Sequence, residues 1–521
     1  MHDLEPGFGG TVGRTVAESR PHWHQPPKEK SDRPNVVLIV FDDLGWSDLG
    51  CFGSEIATPS VDALAAAGLR YAQFHVTPLC SPTRASLLTG RNHHRVGMRT
   101  LADIDTGFPN SRGRVHPDSP MLPKMLGAHG YASYLVGKWH LTPQHEITPA
   151  GPFDSWPLAC GFDRFYGFLD GCTDQYTPEL YRDNSAVDPP GNGNYHLSAD
   201  LADQAIRYLA DHAVFRAQQP FFLQFALGAP HAPLQAPKAY IERYADTFAM
   251  GWDQVRSQRL GRQIELGVVP AGTALADRNP EVEAWTALSG DERRLYLALQ
   301  AAYAGFVEHA DAQIGRVLAA LDRFGQRDNT LVFVMSDNGA SREGGRHGAV
   351  DINGPYSGHR DPPDRQLPAI DRIGSADGPA HYPEGWATVG NTPFRRYKTF
   401  VDLGGIRSPL VVSWPRAIGE RGAVRYQFAH AVDIVATILD VAGVRPAKAI
   451  DGRTLTGTFT QASAPPPRRT QYWETFGHRA IWHDGWRAVT EHVKGTAYDV
   501  DRWRLYHTAA DFSEEIGRAH V

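Results

Sequence analysis

The chain of 521 residues carries a formal net charge of −6, with 42% hydrophobic and 21% charged residues. That length exceeds one small core and predicts a large domain plus a smaller one. No basic stripe is present, so nucleic acid is not an expected partner, and the lack of a long uncharged apolar run argues against a membrane span. Residues 1–33 mix Gly, Pro, His and charges without an apolar h-region, and read as a flexible polar leader rather than an export signal. With four cysteines, at 51, 80, 160 and 172, this predicts reduced thiols and a cytoplasmic location.

In chain order, the first strong strand is Pro34 to Phe41, an apolar run without alternation that suits a strand buried on both faces of a parallel sheet. It ends in Asp42-Asp43. Thr58 as N-cap, Pro59 at N1 and Gly68 as the stop bracket an alanine-rich helix. A strand-like run from Leu69 to Val76 delivers the chain to Cys80. Pro120 to His129 reads as a helix closed by Gly130, and Tyr131 to Val136 as a strand leading to Lys138 and His140. Later strands, Phe221 to Leu227 and Thr330 to Met335, run into His231 and into Asp337-Asn338. Residues 241–295 read as a helical insertion, and Gly344 to Thr392 as a long binding loop or lid. Ala462 to Arg469 reads as a linker into short aromatic strands. No internal repeat is visible. This alternation predicts an α/β fold: a large, mostly parallel sheet flanked by helices, with a small C-terminal antiparallel α+β subdomain.

The polar residues fall where such a fold builds sites. Four apolar strands end in Asp42/Asp43, Lys138/His140, His231 and Asp337/Asn338, and open α/β sheets form sites outside the carboxyl ends of their strands. Asp42, Asp43, Asp337 and Asn338 offer only oxygen ligands, which favours Ca²⁺ or Mg²⁺. A cation would also relieve the repulsion between adjacent carboxylates. Taken singly, Asp-Asp-Leu-Gly and Ser-Asp-Asn-Gly suit turns equally well. Arg84, four residues after Cys80, shares its face on a helix beginning there, and the amides of that helix end favour an anion. Lys138 and His140, two apart, are expected on one face of an extended segment. Among 23 histidines most must be ordinary, so His140 and His231 are singled out by strand-end position.

Residues 79–91, Leu-Cys-Ser-Pro-Thr-Arg-Ala-Ser-Leu-Leu-Thr-Gly-Arg, resemble the maturation signature of sulfatases, in which the cysteine is oxidised to formylglycine. Further matching segments are Asn35 to Gly45, Gly137-Lys-Trp-His140, Pro230 to Pro237, Ser336 to Ala340 and the stretch around Lys398. From Pro34 to about Glu515 the chain resembles a type I sulfatase, of the bacterial arylsulfatase kind in the alkaline phosphatase-like superfamily. The resemblance implies a metal shell of Asp42, Asp43, Asp337, Asn338 and modified Cys80, with calcium usual and magnesium the alternative. It implies a sulfate pocket lined by Arg84, Lys138, His140, His231 and Lys398. The implied reaction is hydrolysis of small sulfate monoesters, aryl sulfates first. Hydrated formylglycine would attack sulfur, His231 with Lys398 would protonate the leaving oxygen, and His140 would take the second hydroxyl's proton.

The resemblance further implies a catalytic domain over 34–460, a small subdomain over 470–521, and a formylglycine-generating enzyme as maturation partner. Past Asp511-Phe-Ser-Glu it implies a closing helix, whereas this chain reads Glu514-Glu-Ile-Gly-Arg-Ala-His-Val521, so the subdomain is expected to be truncated. Two other readings remain open: a phosphonate monoester or phosphodiester hydrolase using the same groups, and a binding protein whose Cys80 stays a thiol.

Overall fold

All seven residues of β1 (Asn35–Phe41) are buried, as an apolar run without alternation requires. A computed structural model, describing residues 8–23, 31–191, 193, 195–517 and 519–520, places this strand inside a ten-stranded sheet. The following strands are β2 (Leu69–Tyr71), β3 (Phe74–His75), β4 (Ala132–Lys138), β5 (Arg164–Phe168), β6 (Leu180–Arg182) and β7 (Ser185–Val187). Then come β8 (Phe221–Ala226), β9 (Thr330–Ser336), β10 (Leu410–Ser413), β11 (Ala423–Arg425) and β12 (Ala429–His430). The order across the large sheet is β11-β2-β10-β9-β1-β8-β4-β5-β6-β7. β9, β1, β8 and β4 are parallel neighbours, with Val40 level with Met335 on one side and Ala226 on the other. Their carboxyl ends therefore line one edge together, which is what gathers the site.

Alternate residues of β1 serve opposite faces. Val37, Ile39 and Phe41 join a core with Leu201 and Ala205 of the Leu197–Phe215 helix and Leu299 and Phe306 of the Gly290–Arg323 helix. Val36, Leu38 and Val40 join a second core with Leu87 and Leu88 of the Cys80–Thr89 helix and Ile434 and Ile438 of the Ala431–Val441 helix. Each such side chain contributes about 1.5–3 kcal/mol by leaving water. In β4, Gly137 has φ 111°, and a Cβ there would lie 1.8 Å from the Ala226 carbonyl oxygen. Only glycine allows that approach, and Lys138 follows it directly.

β3 pairs with β12 as a small ribbon. The C-terminal strands β13 (Thr470–Thr475), β14 (His478–His483), β15 (Trp486–Thr490) and β16 (Arg504–His507) form an antiparallel sheet that Ala519–His520 extends. It docks on the large body through Trp473, whose indole N–H donates to the Val76 carbonyl at 2.8 Å, and through Trp482 stacked on Phe428 at 3.8 Å. No helix among the described residues is long and apolar enough to cross a membrane.

Several local expectations change. The Thr58 side chain does not cap the helix; it accepts the Gly50 amide and donates to Asp62. That helix ends at Ala66, and Gly68 is needed for a different reason, since a Cβ there would meet the Val412 carbonyl oxygen at 2.2 Å. Leu69 to Val76 is two strands, because Ala72 and Gln73 turn the chain from the large sheet into the ribbon. The helix expected over Pro120 to His129 shrinks to Leu122–Gly127. Of the expected leader, residues 1–7 and 24–30 lie outside the described residues, while Thr11 bridges Arg20 around a short turn at Val16–Glu18. Near the other end, Phe512 packs with Trp46 and Phe394, and Glu514 pairs with Arg487; residues 518 and 521 lie outside the described residues.

Candidate active site

Asp42 and Asp43 leave β1 in different directions because Asp43 takes φ 65°, a left-handed conformation that costs a non-glycine residue about 1–3 kcal/mol. Asp42 accepts from Lys138 Nζ at 2.6 Å, while its Oδ1 has no hydrogen-bond partner. Asp43 accepts from Asn338 Nδ2 at 2.6 Å and from Lys398 Nζ at 2.9 Å. Asp337 receives Arg84 Nε at 2.9 Å, and Asn338 is left with a buried, unpartnered Oδ1. Burial pushes the Asp42 carboxyl up, beyond what Lys138 can offset. Burial also acts on Asp43, but there Lys398 and His231 outweigh it and hold the carboxyl down.

Cys80 opens the Cys80–Thr89 helix, with Leu79 extended before it at φ −146°, and every residue of that helix is buried. Its Sγ lies 3.1 Å from His140 Nδ1, and its thiol is pushed up by burial, the reverse of an exposed reactive thiolate. Arg84, one turn on, donates Nη1 to the Lys138 carbonyl at 3.1 Å and keeps Nη2 2.7 Å from Asp337 without a well-formed hydrogen bond. His140 does not continue an extended segment beside Lys138, as the spacing suggested: its φ of 55° swings it to Cys80 while Lys138 turns to Asp42. Burial lowers the His140 imidazole, opposed by Asp103, whose Oδ1 is 3.8 Å from Nε2.

On the far side, His231 has Nδ1 2.6 Å from the Ala232 carbonyl, so that nitrogen donates and Nε2 faces inward. Lys398 Nζ donates to Nε2 at 3.1 Å. The Lys398 turn is anchored at both ends of the site: its amide donates to Ala340, and that of Thr399 to Pro78. Burial alone would depress the Lys398 ammonium; Asp43 and Glu343 outweigh it and raise it well above the usual value.

All ten residues singled out from the sequence thus meet in one place. Sequence reasoning missed Glu343, Asp103 and Tyr356. Glu343 accepts from Lys398 at 2.8 Å, and Tyr356 donates to Glu343 at 3.4 Å. Glu343 sits five residues beyond Asn338, so the strand-end rule could have found it. Asp103 lies in a loop and Tyr356 ends the short Asn353–Tyr356 helix, and neither carries a pattern.

Asp42, Cys80 and Asp337 present ligand atoms within 4.8 Å of one another, as do Asp42, Asp43 and His231. The orphaned oxygens of Asp42 and Asn338 are the direct test of fit: buried oxygens cost free energy unless something meets them, and hard oxygen donors suit a divalent cation. The donor set fits such an ion. Three buried cations, Arg84, Lys138 and Lys398, facing one oxygen-rich cluster suit an anionic substrate.

A family model described as Sulfatase matches residues 34–444, and one described as N-sulphoglucosamine sulphohydrolase, C-terminal, matches residues 396–517. The chain belongs to the sulfatase family and is a sulfuric ester hydrolase. An uncharacterised sulfatase of Schizosaccharomyces pombe is 32% identical, covering 94% of this chain and 91% of that one. The arylsulfatase of Klebsiella aerogenes is 28% identical over 86% of this chain and 96% of its own. Among solved structures, Ps i-CgsB in complex with k-i-k-neocarrahexaose shares the fold, with a TM-score of 0.64, 23% identity, and 94% and 88% of the two chains covered.

Proposed function

We propose that the protein hydrolyses sulfate monoesters, aryl sulfates among them, with a formylglycine derived from Cys80 and a bound Ca²⁺. The observation that carries this reading is the position of Cys80: its Sγ stands beside the carboxylates of Asp42 and Asp337 and 3.1 Å from His140. That sulfur marks where the oxygens of a matured side chain would lie. An aldehyde hydrate there would supply two oxygens on one carbon, one to attack sulfur and one to drive sulfate release.

Asp42, Asp43, Asp337 and Asn338 would hold the cation. When bound, it lowers the pKa of a coordinated hydroxyl and offsets charge on the ester oxygens. Arg84 and Lys138 orient the acidic ligands and present positive charge to the sulfuryl oxygens. His140 Nδ1 faces residue 80 and takes a proton there, with Asp103 behind Nε2. Lys398 Nζ donates to His231 Nε2, and this pair would deliver a proton to the leaving oxygen. Maturation requires a formylglycine-generating enzyme as partner.

The test has two readouts on protein co-expressed with that enzyme: the mass of the proteolytic peptide containing Cys80, and turnover of 4-nitrophenyl sulfate beside a phenyl phosphonate ester. A thiol-to-aldehyde mass change with preferred sulfate turnover is expected. An unmodified peptide, or preference for the phosphonate, would overturn the reading.

A further inference from the structure

Glu343 is a carboxylate that the reaction above leaves without a task. Its Oε1 is 2.8 Å from Lys398 Nζ and its Oε2 3.6 Å from His231 Nε2, so it touches the two groups that serve the leaving oxygen. Lys398 and His231 are almost sealed, whereas the Glu343 side chain is 30% exposed. On this side the charged cluster reaches solvent through Glu343. The sulfuryl group must sit inward, among Arg84, Lys138 and Cys80, so the organic part of the substrate leaves past Glu343 and the half-exposed Tyr356 that donates to it.

The charge count sharpens the point. Lys138 pairs with Asp42 and Arg84 with Asp337, so Lys398 faces two carboxylates, Asp43 at 2.9 Å and Glu343 at 2.8 Å. A cation held by Asp42, Asp43, Asp337 and Asn338 would add its charge at the inner end, and Glu343 is the carboxylate at the solvent end. His381 nearby does not offset it, because burial lowers its pKa to about 4 and keeps it neutral. Across the site the Asp103 side chain, 41% exposed beside His140, adds a second carboxylate and no cation.

We propose that Glu343 is a specificity determinant that disfavours leaving groups carrying a second anion and favours those offering an ammonium or hydroxyl donor beside the ester oxygen. The preferred substrates are then singly sulfated esters rather than polysulfated glycans. This rests on the hydrolase reading above.

The experiment compares kcat/KM for three phenyl sulfates, unsubstituted, 3-carboxyphenyl and 3-(aminomethyl)phenyl, in the matured wild type and in Glu343→Gln. A unit charge about 5 Å away in a partly hydrated site is worth roughly a factor of ten. The wild type should favour the ammonium ester over the carboxylate ester by about tenfold or more, and Glu343→Gln should erase most of that ratio. Raising NaCl from about 50 to 500 mM should compress the wild-type ratio in the same direction, which tests the charge even where the variant folds poorly. An equal ratio in both proteins, a salt-independent ratio, or a wild-type preference for the carboxylate ester would overturn the proposal.

Calorimetric binding of the same three esters to Cys80→Ala separates the two readings. A charge preference in binding without any turnover by the matured wild type sinks the hydrolase reading alone. Turnover without a charge preference sinks this one alone.

Discussion

Asp42 and Asp48 stand six residues apart, both buried and both beside buried cations, yet they are wired in opposite ways. Asp48 is saturated: Oδ1 accepts from Arg259 at 2.7 Å, and Oδ2 accepts from the Tyr303 hydroxyl at 2.7 Å and the Gly45 amide at 3.1 Å. Arg259 spends its remaining donors on Glu55 and Ser47. Asp42 keeps an orphaned oxygen, as does Asn338, and Asp43 and His140 hold left-handed backbone angles. Both networks are acid–base clusters in a low-dielectric interior. The saturated one braces the loop after β1; the unsaturated one keeps two buried oxygens unpartnered.

The sharpest way to break that contrast is Cys80→Ala. On the proposed mechanism it removes the attacking group, so sulfate ester turnover should fall by at least about 10⁴-fold, with a melting temperature close to wild type. Loss of fold with loss of activity would move Cys80 to the structural side of the comparison.

Arg259→Met asks the reverse question. It leaves Asp48 buried without its cation, while Glu55 keeps Arg262 at 2.6 Å, so denaturant unfolding should show a loss of about 3–5 kcal/mol. Turnover per folded molecule should stay near wild type. An unchanged stability would mean the bracing network carries little.

A smaller effect comes from histidines buried in neither network. Burial lowers His93 and His196 to about 4 and His309 to about 3. Their folded pKa values lie below the unfolded value, so the unfolded chain takes up protons first as pH falls. Stability is full above about pH 6.5 and is lost as pH drops toward the folded pKa, by up to about 2 kcal/mol per group at pH 5. His309→Leu should flatten the fall in melting temperature between pH 7 and 5. An equally steep fall in the variant would exclude His309 as a source.

Much of this was legible in the chain. Apolar runs without alternation marked β1, β4, β8 and β9 because strands covered on both faces need no polar residues, and the residues that end them had to share an edge once the strands were parallel. Less was legible where tertiary contacts override local signals. Thr58 and Gly68 looked like helix punctuation, yet their conformations answer to Gly50 and to the strand at Val412. Lys138 and His140 looked co-facial until a positive φ separated them. Asp103 reaches the site from a loop, where no periodicity links position in sequence to position in space.

The most direct measurement is calorimetric titration of Ca²⁺ into metal-stripped protein, wild type beside Asp42→Asn and Arg259→Met. One ion should bind per chain in the wild type and in Arg259→Met, with binding lost or weakened at least about tenfold in Asp42→Asn, because Asp42 converges with Asp337, Cys80, Asp43 and His231 within 4.8 Å, whereas among the described residues Asp48 joins no such group. Binding that Asp42→Asn leaves intact, or no binding of any divalent cation to the wild type, would contradict the account.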